Sequence, residues 1–291
     1  MSKTKLKSIN YSIYEFMKPQ KSKLSHATHA DRTNRLKAMA KELHNLGYEP
    51  TNIGRIKQKH IGILVKHWQE SAISVGTIKN RLSDLRFVCH ALNRNNVVKP
   101  NDEYNIGKRC YIPSTNKAIH APNFSAVENR YVRCSIELQR VFGLRREECL
   151  KIIPSMADNS TLLRLKGSWT KGGVPRAIPI RTSEQRYWLD QAKKLSGKSN
   201  SLVPKEKTYI QQRRLYDRLS RQAGFKNLHG LRHAYAQRRY VEITGWNAPI
   251  NGGKDRHKLS KQEQRRDQQA RKIIALELGH SRMAIAKNYL G

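Results

Sequence analysis

The chain is poor in acidic residues. It carries 22 Asp and Glu against 57 Lys and Arg, a formal net charge of +35 over 291 residues. Solubility asks for only about 2–8 units in a small domain. Such an excess costs self-repulsion in the compact state, so a polyanionic partner, nucleic acid above all, is the natural explanation. The chain also lacks any apolar run near the ~18–20 residues that would span a bilayer. Its start, Met1-Ser2-Lys3-Thr4-Lys5, has no apolar stretch behind it, so neither a membrane span nor a signal peptide is expected. Paired cysteines are missing too: Cys89, Cys110, Cys134 and Cys149 form no C-x-x-C motif. That argues against a metal or disulfide framework and for reduced thiols in a cytoplasmic protein.

The apolar residues, 37% of the chain, suffice for two modest cores. Residues 1–25 are Lys/Ser-rich and weakly patterned, and are read as a basic N-terminal segment. A helical pattern begins near Asp31, with Leu36, Met39, Ala40, Leu43 and Leu46 at three- and four-residue spacing and Gly47 as its C′ glycine. A second helix carries Ile61, Leu64, Val65 and Trp68. A third follows Thr77 as N-cap, with Ile78, Leu82, Leu85, Cys89 and Leu92 in one stripe. Residues 26–99 thus read as a small all-α domain. Lys79, Arg81 and Arg86 lie off that stripe, on what is either a solvated face or one that tracks phosphates.

Residues 100–125, with Pro100, Gly107, Pro113 and Pro122, read as a linker. Residues 126–291 read as a second domain: a helix over 126–141, a small hairpin formed by 161–165 and 177–180 around Gly172-Gly173, and then helices over 183–195, 208–223, 231–244, 262–278 and 282–289. The fold class expected is therefore mainly α with a small antiparallel β-sheet (α+β).

Four short stretches carry chemistry: Gly143-Leu144-Arg145-Arg146-Glu147-Glu148, Trp169-Thr170-Lys171-Gly172-Gly173, His229-Gly230-Leu231-Arg232-His233, and Leu278-Gly279-His280 followed at nine residues by Tyr289. In this order they resemble the tyrosine recombinase family of phage-type integrases. The resemblance covers roughly residues 30–291 and is sharpest from 142 on. It implies an N-terminal helical (SAM-like) DNA-binding domain followed by a catalytic domain, the two forming a C-shaped clamp on DNA. Arg145 matches the family's first catalytic arginine and Glu148 the acidic residue that braces it. Lys171 matches the mobile catalytic lysine, and His229 and Arg232 the H-x-x-R pair. His280 matches a position that is His or Trp, and Tyr289 the nucleophile. The implied partners are double-stranded DNA, a homotetramer in the synaptic complex (a monomer when free) and DNA-bending accessory proteins. The implied setting is the bacterial nucleoid.

The residue types suit the reaction without the family name. Two guanidiniums can hold a phosphate bidentately and stay charged at any working pH. A tyrosine hydroxyl, with an ordinary pKa near ~10, needs a base or local positive charge to become a nucleophile. His229 is the expected base, Lys171 the expected acid for the departing 5′-oxygen, and His280 a brace for the phosphate. With arginines in the electrostatic role, and no carboxylate cluster or Gly-rich phosphate loop in the chain, no metal or cofactor is called for. Two other classes fit the same motifs: a catalytically silent DNA-binding regulator, and a type IB topoisomerase-like relaxing enzyme.

Two features depart from the commonest family layout. Arg232 and His280 stand 48 residues apart. The extra stretch, centred on 245–266, is basic and is expected as an exposed loop facing DNA. Only Leu290 and Gly291 follow the tyrosine, where many members carry a segment that packs on a neighbouring subunit. Subunit coupling would then fall to the tyrosine helix or to the insertion.

Overall fold

A computed structural model describes residues 3–120 and 122–291. The contacts divide the chain into two units, between Cys110 and Tyr111. No helix among the described residues is long and apolar enough to cross a membrane.

The first unit is a bundle of four helices: α1 (Lys3–Met17), α2 (His26–Asn45), α3 (Gln58–Glu70) and α4 (Val75–Ala91). Here the structure corrects the reading of residues 1–25 as a weakly patterned segment. Ile9, Ile13 and Met17 sit on one face of α1 and are buried in the bundle core with Leu36, Leu43, Leu64, Trp68 and Leu82. Lys5 and Lys7 ahead of them, and the exposed Tyr11 and Tyr14 between them, hid this four-residue apolar period. The helix ends follow ordinary capping chemistry. Ser25 caps α2 by accepting from the Thr28 amide, and Gly47 at φ +82° stands just past its end. The cap of α4 is Ser74, not Thr77, whose amide donates to the Ser74 hydroxyl at 3.3 Å. Val98 and Ile106 also join this core, so the first part of the expected linker is packed rather than free.

The second unit surrounds α5 (Arg130–Phe142), most of whose residues are buried. After it come α6 (Arg146–Lys151), α7 (Pro154–Ala157), strands β1 (Asp158–Asn159), β2 (Leu162–Leu165) and β3 (Arg176–Pro179), then α8 (Ser183–Ser196) and α9 (Tyr209–Gln222). The strands form one antiparallel sheet in the order β1-β2-β3, with Leu163 opposite Ile178 and Leu165 opposite Arg176. Helices α10 (His229–Thr244), α11 (Lys261–Glu277) and α12 (Lys287–Leu290) complete the unit. The fold is mainly α with one small sheet. The sequence reading missed α7 and β1, elements of four and two residues, which are too short to show a period.

The insertion is not one exposed loop. Ala248 is fully buried, Trp246 and Ile250 pack on the second unit's core, and α11 begins at Lys261. A turn of 3-10 helix, Pro249–Asn251, packs against α12. The insertion's longest exposed run is residues 254–258, around the basic turn Arg256–Lys258. The apolar residues set among the polar ones of this stretch are what fold its first half inward.

Candidate active site

Helix α5 stops at Gly143, whose φ is +63° and whose notional Cβ would lie 2.5 Å from the Tyr235 ring. Only glycine fits there. The turn it makes delivers Arg145 to the N-cap position of α6, where Glu148 accepts from the Arg145 amide at 2.7 Å and from its guanidinium at 2.7 Å. Glu148 is fully buried. It also receives both terminal nitrogens of Arg176, at 2.8 and 2.7 Å. Burial alone would push its carboxyl up, but the hydrogen bonds and charge of Arg176, joined by Arg145, outweigh that and hold it down to about 2. One carboxylate therefore fixes two arginines.

Arg232 comes from the first turn of α10 and is fully buried. Its Nη1 donates to the Gly143 carbonyl at 2.5 Å and its Nη2 to the Leu278 carbonyl. Its Nε donates to the Tyr289 hydroxyl at 3.2 Å. Among the described residues no carboxylate pairs with it. Burial draws its pKa down to about 10, so it remains charged at neutral pH. An unpaired buried cation is costly, and an anion is what would relieve it.

Tyr289, 5% exposed, rests its hydroxyl 3.1 Å from His280 Nε2. Arg232 Nη2 also points at that nitrogen, at 3.4 Å. A guanidinium can only donate, so Nε2 is the bare acceptor and the ring proton sits on Nδ1. Burial and the nearby charges of Arg232, Arg145 and Arg176 push His280 down to about 4. The imidazole is neutral and able to take the tyrosine's proton.

His229 stands differently from its expected part as base. Its ring lies 6.2 Å from the Tyr289 ring, centre to centre, and no hydrogen bond joins it to the hydroxyl. It stands beside the Tyr289 ring and is exposed to solvent. Crowding by the protein and the charges of Arg232, Arg145 and Lys117 lower it to about 4. Lys171 is exposed on the connection between β2 and β3, and no hydrogen bond or ion pair among the described residues ties it to the other site residues. Gly172 and Gly173, at φ +83° and +72°, shape that turn. Thr170 closes it by donating to the carbonyls of Gly167 and Val174.

The structure thus forms two hydrogen-bonded groups, Arg145 with Glu148 and Arg232 with His280 and Tyr289, brought together where Arg145 and Arg232 donate to the neighbouring carbonyls of Gly279 and Leu278. His229 stands beside the second group and Lys171 on a separate turn. Three residues of the site escaped the sequence reading. Arg176 shares a strand face with the buried Ile178, so a cation on an apolar face was the available signal. His233 and Gln237 follow His229 at four-residue spacing, a polar stripe along a buried helix. The His233 ring lies 4.7 Å from that of Tyr289, and burial with His229, Lys117 and Arg232 lowers it to about 4. Of the three basic residues flagged on α4, Arg81 pairs with Glu42 at 3.1 Å, and Arg86 donates to Lys99 and Asn101. Lys79 is half-buried and makes no such contact among the described residues. Arg81 and Arg86 are therefore tied into the first unit, and Lys79 alone of the three is free for a partner.

Residues 13–98 match the family described as phage integrase, N-terminal, and residues 111–238 the family described as integrase. No curated protein matches in sequence. Among solved structures, a lambda integrase (75–356) dimer bound to a COC′ core site is similar at TM-score 0.60 and 16% identity, over 97% of this chain and 95% of that one. The Tn1549 transposon integrase (aa 82–397, Y379F) in complex with transposon right end DNA is similar at TM-score 0.53 and 16% identity, over 96% and 95%.

Proposed function

Because this chain belongs to the tyrosine recombinase (integrase) family, we propose that it is a site-specific DNA recombinase acting through a covalent 3′-phosphotyrosine at Tyr289. Its role would be the integration or excision of a mobile element. The observation that carries this reading is the contact of Arg232 with Tyr289: a buried guanidinium, with no carboxylate partner among the described residues, donates to a phenol oxygen. A scissile phosphate held by Arg232 and Arg145 supplies the missing anion. The net charge of +35 and the DNA-bound states of the lambda and Tn1549 integrases agree with duplex DNA as substrate.

The chemistry follows from the residues. The Tyr289 oxygen attacks phosphorus as its proton passes to neutral His280 or, once DNA is seated, to His229. The P–O5′ bond breaks, and Lys171 on its turn protonates the departing 5′-oxygen. Arg145 and Arg232 stabilise the charge that builds on the nonbridging oxygens. The phosphotyrosine keeps the bond energy, so a 5′-hydroxyl can reverse the step on a new strand. A tetramer on two sites, with DNA-bending helpers, completes the exchange.

The test is a nicked duplex that traps the intermediate, read as a protein–DNA adduct on denaturing gels over a genomic DNA library. Adducts at one sequence, lost on Tyr289→Phe, are the expected result. Adducts at many sequences would indicate a relaxing enzyme, and none a silent DNA-binding protein.

A further inference from the structure

The tyrosine sits in α12, a helix of only four residues. Helix ends leave carbonyls without partners, and so short a helix has little other than its ends. Two side chains from elsewhere meet this need. Gln237 Nε2 donates to the Tyr289 carbonyl at 3.2 Å, and Arg271 Nη1 donates to the Gly291 carbonyl at 2.8 Å. Arg271 is itself held by Asp267 at 2.8 Å, which accepts from Tyr240 at 2.7 Å.

Gln237 is buried and its amide is not free to turn. It exchanges a pair of hydrogen bonds with Asn116: Gln237 Nε2 donates to Asn116 Oδ1 at 2.8 Å, and Asn116 Nδ2 donates to Gln237 Oε1 at 3.2 Å. Asn116 Nδ2 also donates to Asn251 Oδ1 at 3.2 Å. Asn251 ends the Pro249–Asn251 turn of the insertion, and a Cβ on Gly291 would meet the Ile250 nitrogen at 3.0 Å. Three distant stretches of chain, the segment before α5, the middle of α10 and the insertion, thus meet in one chain of amides, and Gln237 joins that chain to the tyrosine's backbone.

We propose that Gln237, Asn116 and Asn251 form an amide clip that positions the Tyr289 backbone, and that anchoring this clip is the work of the insertion's buried half. The inference rests on Tyr289 being the nucleophile. Misplacing a reacting group by about 1 Å can cost about 10²-fold in rate. The clip acts on the tyrosine's placement and not on DNA affinity.

The experiment is single-turnover cleavage of nicked duplex DNA at increasing DNA concentration. Gln237→Leu removes the amide and keeps a side chain of similar volume in the core. Asn116→Ala and Asn251→Ala break the clip from positions at or near the surface, so one variant remains informative if another fails to fold. The plateau rate is expected to fall by about 10–100-fold for Gln237→Leu and by less for the two asparagines, with the half-saturating DNA concentration unchanged. A second arm uses Tyr289→Phe protein with hydroperoxide as external nucleophile. There Gln237→Leu is expected to make no difference, because no tyrosine oxygen is left to place. Unchanged plateau rates in all three variants, or an equal loss in the hydroperoxide arm, would overturn the clip. Absence of any adduct from the unaltered protein would instead overturn the recombinase reading beneath it.

Discussion

The two units bury different kinds of residue. In the first unit the buried groups are apolar, with His60 and Asp84 the buried polar exceptions among the described residues. In the second unit Glu148, Arg232, Gln237, Asp267, Arg271 and Glu277 are all buried and hydrogen-bonded to side chains or backbone, and His233 is buried against the Tyr289 ring. A core of the first kind follows from apolar spacing alone. A core of the second kind is held by specific pairs, each of which is expensive to break on one side. The difference separates a scaffold from a reacting centre, and it can be tested from both sides.

The largest effect is expected for Glu148→Gln. It removes the anion shared by Arg145 and Arg176 and should cost the second unit about 3–5 kcal/mol. Chemical denaturation followed separately in each unit would check this, and an equal loss in the first unit would break the comparison. Arg232→Lys should lower single-turnover cleavage by about 10²–10³-fold, since an ammonium cannot reach two carbonyls and the phenol together. Leu82→Ala is the converse case. It should destabilise the first unit by about 2–5 kcal/mol while leaving the cleavage rate at saturating DNA unchanged.

Acid should separate the units next. His229, His233 and His280 are each lowered to about 4, against an ordinary value near ~6.5. Unfolding therefore takes up protons as pH falls below ~6.5. The stability these groups contribute is full above that pH and is lost as pH falls through about 4. Glu148, held at about 2, adds a further loss as pH falls from its ordinary ~4.3 towards 2. In the first unit burial lowers His60. Calorimetry from pH 7 to pH 4 should show the second unit's transition falling faster. Parallel decline would contradict it. The smallest effect is expected for Lys79→Gln, which should reduce the salt slope of DNA binding by about one unit without changing its sequence preference.

How far each region was legible in the sequence follows from the same contrast. Helices α2 to α4 and α8 to α11 announced themselves by period, and Gly143 and the Gly172-Gly173 turn by residue type. The helix α1 was hidden by lysines that share its surface. Within the site, the residues that touch a tyrosine hydroxyl or carry a motif could be read directly. Arg176, His233 and Gln237 could not, because their meaning depends on partners 28, 56 and 52 residues away, Glu148, Tyr289 and Tyr289 again. In the free protein the tyrosine hydroxyl meets His280, and sequence order says nothing about which of three histidines a hydroxyl will meet.

The turn that ends α11 ties Arg145 and Arg232 to adjacent peptide units. Arg232 donates to the Leu278 carbonyl and Arg145 to the Gly279 carbonyl, the latter at 3.4 Å. That end of the helix thus works as a gauge block: two successive carbonyls of one backbone set the gap between two cations. Length added ahead of α11 does not touch the gauge. A lineage could lengthen or shorten the stretch after α10 through many generations and still inherit the same spacing, whereas losing one residue between Leu278 and His280 would put the two cations out of step at once.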